Sequence, residues 1–170
     1  MQSSVELTQD LVRFNTINPP GAERACAERL ASLLEGAGFA VDLVPFGDGR
    51  AQLVARIGGT TGKLPLGFTG HLDTVPLGGQ PWSADPFAAE IVDGKLYGRG
   101  SSDMKSGVAA FVAACTALAD KLAGRSGWSC SLPLAKKQAA PGRWPWLMPR
   151  RLFLRSAHLS WRSRPATRRW

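Results

Sequence analysis

The 170-residue chain is 44% apolar and formally +8 at pH 7; it is long enough for one domain with a real core. Its longest nearly unbroken apolar run, VAAFVAACTALA (108–119), falls short of the ~20 residues a membrane span requires, and MQSSVELTQD lacks the basic and apolar regions of a secretory signal, so a cytoplasmic protein is expected. The charge is unevenly held: residues 1–123 carry all 13 acidic residues against 10 Lys/Arg, whereas residues 124–170 carry 11 Lys/Arg, no acid and five of the six tryptophans.

In chain order, Ser3 and Glu6 have capping-box spacing ahead of VELTQDLVRF, which predicts a first helix stopped by Asn18-Pro19-Pro20. From Ala22, AERACAERLASLLEGAGF has helical apolar spacing and closes on Gly36 and Gly38. Three short apolar runs bounded by Gly or Asp, AVDLVPF (40–46), AQLVARI (51–57) and PLGFTG (65–70), read as strands. Asp93-Gly94 lies between two short apolar runs and predicts a hairpin. SGVAAFVAACTALADKL (106–122) reads as a small-residue helix buried nearly all round. The fold class is α/β, a layered sheet with helices on its faces. Residues 124–170 show no sustained period of 2 or 3.6 and read as an irregular basic tail, with a short amphipathic helix conceivable in RRLFLRSAHLSWR. Cys26, Cys115 and Cys130 share no C-x-x-C spacing and are expected to be reduced, mostly buried thiols.

Two stretches carry chemistry. In GHLDTVP (70–76), His71 and Asp73 stand at the end of a predicted strand. A neutral imidazole is a good zinc ligand, and a carboxylate at its other ring nitrogen fixes the tautomer; equally, His-x-Asp alone fits a structural histidine. In GRGSSDMKSG (98–107), Asp103 sits just ahead of a helix, where it could serve the helix dipole or be held on a rigid turn to bridge metal ions.

Taken together, GHLDTVP, Pro81-Trp82, DGKLYGRG (93–100) and SSDMKSG (101–107), with LVRFNTINPPG near the start, closely resemble the di-zinc aminoacylase and carboxypeptidase family. This family includes acetylornithine deacetylase and succinyl-diaminopimelate desuccinylase. The resemblance covers residues 3 to about 123. It implies the N-terminal part of a zinc-exopeptidase-like catalytic domain, a mixed sheet flanked by helices. It also implies hydrolysis of C–N amide bonds in N-acyl amino acids or short peptides, with acetylornithine deacetylase-like chemistry. Residue by residue, it implies that His71 binds one zinc, that Asp73 is the catalytic-site aspartate orienting His71, and that Asp103 bridges two zinc ions, with cobalt a possible substitute. In such a family a water activated by zinc attacks the amide carbonyl and a glutamate moves its proton. Family members are homodimers through a separate lid or dimerisation domain, which is expected to be absent here.

The resemblance also requires a Glu-Glu pair some thirty-odd residues beyond Asp103, a further acidic ligand and a late histidine. No Asp or Glu follows Asp120, and His158, in RSAHLSW, does not match the late ligand. Where the pair is due, the chain reads LPLAKKQA (132–139). Codons can be chosen for that stretch which, read one frame over, give Thr-Ala-Gly-Glu-Glu-Thr-Gly. The expectation is that translation leaves the family frame at or just before Trp128, giving a truncated domain without a central strand and without amidase activity. The rival expectation is a genuine basic tail whose Trp and Arg bind nucleic acid or anionic lipid; on the frame reading neither a nucleic acid nor a membrane is a partner, and the partner is a small N-acyl amino acid or peptide substrate.

Overall fold

The computed structural model describes residues 2–58 and 66–123, together with the backbone of 128–132. Helix α1 (Ser4–Arg13) begins with the predicted capping box: Ser3 Oγ accepts from the Glu6 N–H, and the Glu6 carboxylate accepts from the Ser3 N–H at 2.7 Å. Two otherwise orphaned donors of the first turn are satisfied in this way. Leu7, Leu11 and Val12 form its buried stripe. Helix α2 (Arg24–Gly36) buries Cys26, Ala27, Leu30, Ala31 and Leu34, again one face at helical spacing. Gly38, at φ +85°, turns the chain into β1.

Strands β1 (Ala40–Gly47), β2 (Arg50–Ile57) and β3 (Leu66–Thr69) fall where the sequence places them. Asp93 and Gly94 both take positive φ, 51° and 72°, as a two-residue primed turn demands, and join β4 (Ile91–Val92) to β5 (Lys95–Leu96). A wide helical turn, Ser101–Lys105, leads into α3 (Ser106–Ala117), and a break at Leu118 separates α3 from the single turn α4 (Ala119–Leu122).

Two expectations are corrected. The segment 106–122 is not buried all round. Val108, Ala109, Val112 and Cys115 face the core, while Gly107, Ala110, Ala114 and Ala117 face outward. Small residues score as apolar yet carry little area, so exposing them costs little. The sheet also does not lack its central strand. Trp128–Leu132, inside the stretch read as irregular, forms β6, and the strand order is β1-β2-β6-β3. β6 is antiparallel to β2 and parallel to β3, so the sheet is mixed as expected. Main-chain ladders need no particular side chains, so the slot between β2 and β3 accepts WSCSL although its sequence carries no strand pattern. The remainder of the basic tail, including the amphipathic stretch and His158, lies outside the described residues.

The described helices are tied to the sheet by one apolar cluster. Leu7 and Leu11 of α1, Leu30 and Leu34 of α2, Leu53, Ala55 and Ile57 of β2, and Val108 and Val112 of α3 all belong to it. Phe68 of β3 stacks on Phe111 of α3 with ring centroids 4.0 Å apart. Cys26 and Cys115 are free and buried, and burial pushes their thiols up to about 12 and about 11. No described helix is long and apolar enough to cross a membrane.

Leu72 belongs to the same cluster and is fully buried, directly between His71 and Asp73. Leu72→Ala should cost about 2–5 kcal/mol of stability, as buried leucine truncations do. Urea unfolding followed by far-ultraviolet circular dichroism measures it, and a loss below ~1 kcal/mol would separate the site loop from the core.

Candidate metal centre

β3 ends at Thr69, and Gly70 passes beneath α3, where a Cβ would lie 3.1 Å from both Met104 Cε and Val108 Cγ2. The next four residues run beside the segment that leaves α1. Thr16 Oγ1 donates to the Leu72 carbonyl at 2.6 Å, the Thr74 N–H donates to the Thr16 carbonyl, and the Asn18 N–H donates to the Thr74 carbonyl. This short parallel bridge, with Ile17 opposite Thr74, replaces the ladder the strand has lost. Leu72 then points into the core, Asp73 is 2% exposed, and the His71 side chain is left 17% exposed at the surface end.

The turn carrying Asp103 is fixed just as firmly. Gly98 and Gly100 hold φ of +155° and +87°. A Cβ on Gly98 would stand 2.4 Å from Val12 Cγ1, and one on Gly100 2.6 Å from Thr74 Cγ2. Only glycine satisfies both the close approach and the left-handed backbone. Lys105 is fully buried, its Nζ donating to the Phe14 carbonyl at 2.8 Å and its N–H to the Gly100 carbonyl. Burial holds its pKa below the usual lysine value. The residues at the N-cap positions, Gly100 for the turn and Lys105 for α3, make no side-chain cap bond. The Asp103 side chain is 61% exposed and faces His71.

The two motifs, 32 residues apart in sequence, therefore meet. His71 Nε2 lies 3.0 Å from Asp103 Oδ1. On the other side of the ring, Nδ1 lies 3.0 Å from the Asp73 carbonyl and 3.3 Å from Asp73 Oδ1. A carbonyl only accepts, so Nδ1 carries a proton; an ionised Asp103 also only accepts, so without a metal Nε2 faces it best as the second N–H of an imidazolium, and Nε2 is the nitrogen a metal would take. Hydrogen bonding to the Asp73 carboxylate, reinforced by its backbone carbonyl and by the charges of Asp73 and Asp103, raises the His71 pKa above the usual imidazole value against the opposing effect of burial.

Sequence reasoning missed three residues here: Asn18, whose Nδ2 donates to Asp73 Oδ2 at 2.9 Å, Thr16 and Lys105. The first two lie in the helix-stopping stretch, where Pro19 and Pro20 drew attention to the break rather than to the side chains before it. Lys105 next to Asp103 reads as an ordinary charged helix start. His158 lies outside the described residues.

Residues 67–128 match Peptidase family M20/M25/M40. This is an M20 peptidase segment. Across 129 residues the chain is 43% identical to a succinyl-diaminopimelate desuccinylase of Wolbachia pipientis subsp. Culex pipiens (strain wPip), covering 75% of this chain and 31% of that protein. Succinyl-diaminopimelate desuccinylase 2 of Ruegeria sp. (strain TM1040) is 49% identical over 111 residues, 65% of this chain and 27% of that one. Among solved structures, human carnosine dipeptidase 1 superposes with a TM-score of 0.64 at 27% identity, over 76% of this chain and 31% of its own. The chain spans about 30% of the length of the curated M20 relatives it matches, and its fold is that of the N-terminal portion of M20 catalytic domains.

The donors suit zinc in kind, since an imidazole nitrogen, backed by a carboxylate at its other nitrogen, stands beside a carboxylate oxygen. In number they supply two of the four positions zinc takes in such sites. Among the described residues no group of three or more His, Cys, Asp or Glu is arranged so that it could hold a metal ion.

The raised His71 pKa fixes a pH dependence. A protonated imidazole gains from its two carboxylates in the folded, metal-free chain. That stabilisation is fully present below the ordinary value of 6.5 and is lost as pH rises through the higher folded value. The urea midpoint of wild type relative to His71→Gln should therefore fall as pH is raised from 6 towards neutrality and above; a difference flat with pH would refute the pairing.

Proposed function

We propose that this chain derives from a metal-dependent amidohydrolase acting on N-acyl amino acids or short peptides, and that His71 and Asp103 are zinc ligands, with Asp73 orienting His71. One observation carries the reading: His71 Nε2 faces Asp103 Oδ1 at 3.0 Å while Asp73 backs the other ring nitrogen. Zinc, when bound there, would polarise an amide carbonyl and lower the pKa of water. The chain's own residues do the rest of what it can do. Once Nε2 has lost its proton His71 presents a lone pair, Asp73 keeps the proton on Nδ1, and exposed Asp103 offers a second negative oxygen 3.0 Å from that nitrogen.

Names carried by relatives at 43–49% identity support succinylated amino acids over the acetylated ornithine that the sequence resemblance also allows. A soluble cytoplasmic protein fits this chemistry, as does homodimerisation of the intact enzyme through a domain outside residues 1–123.

The 170-residue polypeptide is a poor catalyst on this reading. It has no carboxylate beyond Asp120 to take the water's proton. It should bind zinc or cobalt weakly by isothermal calorimetry and lose that uptake in His71→Ala and Asp103→Ala; unchanged uptake in both variants would remove the proposed centre. With either metal it should hydrolyse N-succinyl and N-acetyl amino acids no faster than a buffer blank, and measurable turnover would overturn this assignment.

The basic tail is best read as out-of-frame peptide replacing family sequence from about Trp128. Nucleotide sequence across codons 120–140 tests it: restoring one frame should yield a Glu-Glu pair near codon 136, and its absence would end the proposal.

A further inference from the structure

We propose that Asn18 is a positioning residue for His71, acting through Asp73. The inference deepens the metal-centre reading and rests on it for one of its two measurements. Four side chains stand in line. Asn18 Nδ2 donates to Asp73 Oδ2 at 2.9 Å, Asp73 Oδ1 lies 3.3 Å from His71 Nδ1, and His71 Nε2 faces Asp103. An ionised carboxylate only accepts, so the amide of Asn18 must present its nitrogen. The two ends of the Asp73 carboxylate are thereby assigned to different partners, and its rotation about χ2 is stopped. Asp73 is 2% exposed, so a carboxylate released from that amide would find little water to replace it and would turn towards other donors. The imidazole, which is oriented through Nδ1 by Asp73, would then lose the partner that favours a proton on Nδ1 over Nε2.

Main-chain geometry makes the role separable from folding. The Asn18 N–H bonds to the Thr74 carbonyl and the Gly21 N–H to the Ile17 carbonyl. Neither bond involves the Asn18 side chain. A substitution at Asn18 removes the amide donor and leaves the bridge between the two segments in place. Asn18 is also the point where the first helix reports to the ligand loop, since Asn18 and Asp73 are 55 residues apart in the chain.

The test uses the full chain labelled with 15N-histidine. Its two histidines, His71 and His158, are distinguished by a His158→Ala control. At alkaline pH, where imidazoles are neutral, long-range 1H–15N spectra give the ratio of Nδ1–H, held by Asp73, to Nε2–H, held by Asp103. In Asn18→Leu, which keeps the size and removes the donor, the Nδ1–H share should fall in favour of Nε2–H, and zinc affinity by calorimetry should weaken on the order of tenfold. Asn18→Gln, which restores an amide one methylene further out, should recover part of both, with thermal midpoints of all three proteins alike. The proposal is overturned if Asn18→Leu keeps the wild-type tautomer ratio, or if both variants lose the tautomer together with their thermal midpoint. Should the wild-type chain take up no zinc, the metal reading fails while the tautomer ratio still decides the role of Asn18.

Discussion

Everything at the candidate centre depends on the five residues that follow α1. Phe14 accepts from buried Lys105, Thr16 bonds both the carbonyl of Leu72 and the N–H of Thr74, and Asn18 holds Thr74 and Asp73. These are two separate loops, one from the end of β3 and one from the start of α3, and a single strap bonds to both. Without it, His71 and Asp103 would sit on independent loop ends, and the 3.0 Å separation between them would have no cause. Capping at Ser3 and the Leu7–Leu11 stripe matter to function because they fix where that strap begins.

The strap also explains how one site holds two carboxylates with different duties. Asp73 is shut in and hydrogen-bonded, so it stays put and acts on its neighbour. Asp103 is mostly exposed, on a turn that follows two closely packed glycines. A buried carboxylate orients well but is costly to strip of partners; an exposed one stays solvated and can be approached by a cation from solvent. Burial divides the labour before any metal is considered.

Much of this was legible in the sequence, for local reasons. Ser3 and Glu6, Asp93-Gly94, Gly38 and the apolar spacing of α2 each carry their structural consequence within a few residues, and each is found as expected. His71, Asp73 and Asp103 were legible because their motifs resemble a known set. Asn18, Thr16 and Lys105 were not, because their roles exist only once segments 55 to 91 residues apart meet. The helix α3 was misjudged because alanine and glycine count as apolar without demanding burial. β6 was missed for the opposite reason: its place is set by the unpaired edges of β2 and β3, and nothing within WSCSL announces it.

The position of β6 has a consequence for biosynthesis. Both strands that flank it leave the ribosome roughly 60 to 80 residues earlier than it does, so during elongation their inner edges face solvent with no ladder to satisfy them. The sheet cannot be completed from the N-terminus outward; it closes only when its last strand is threaded between the other two. A nascent chain stalled before codon 128 would present two open edges at once, and that is the species on which chaperones or aggregation would act.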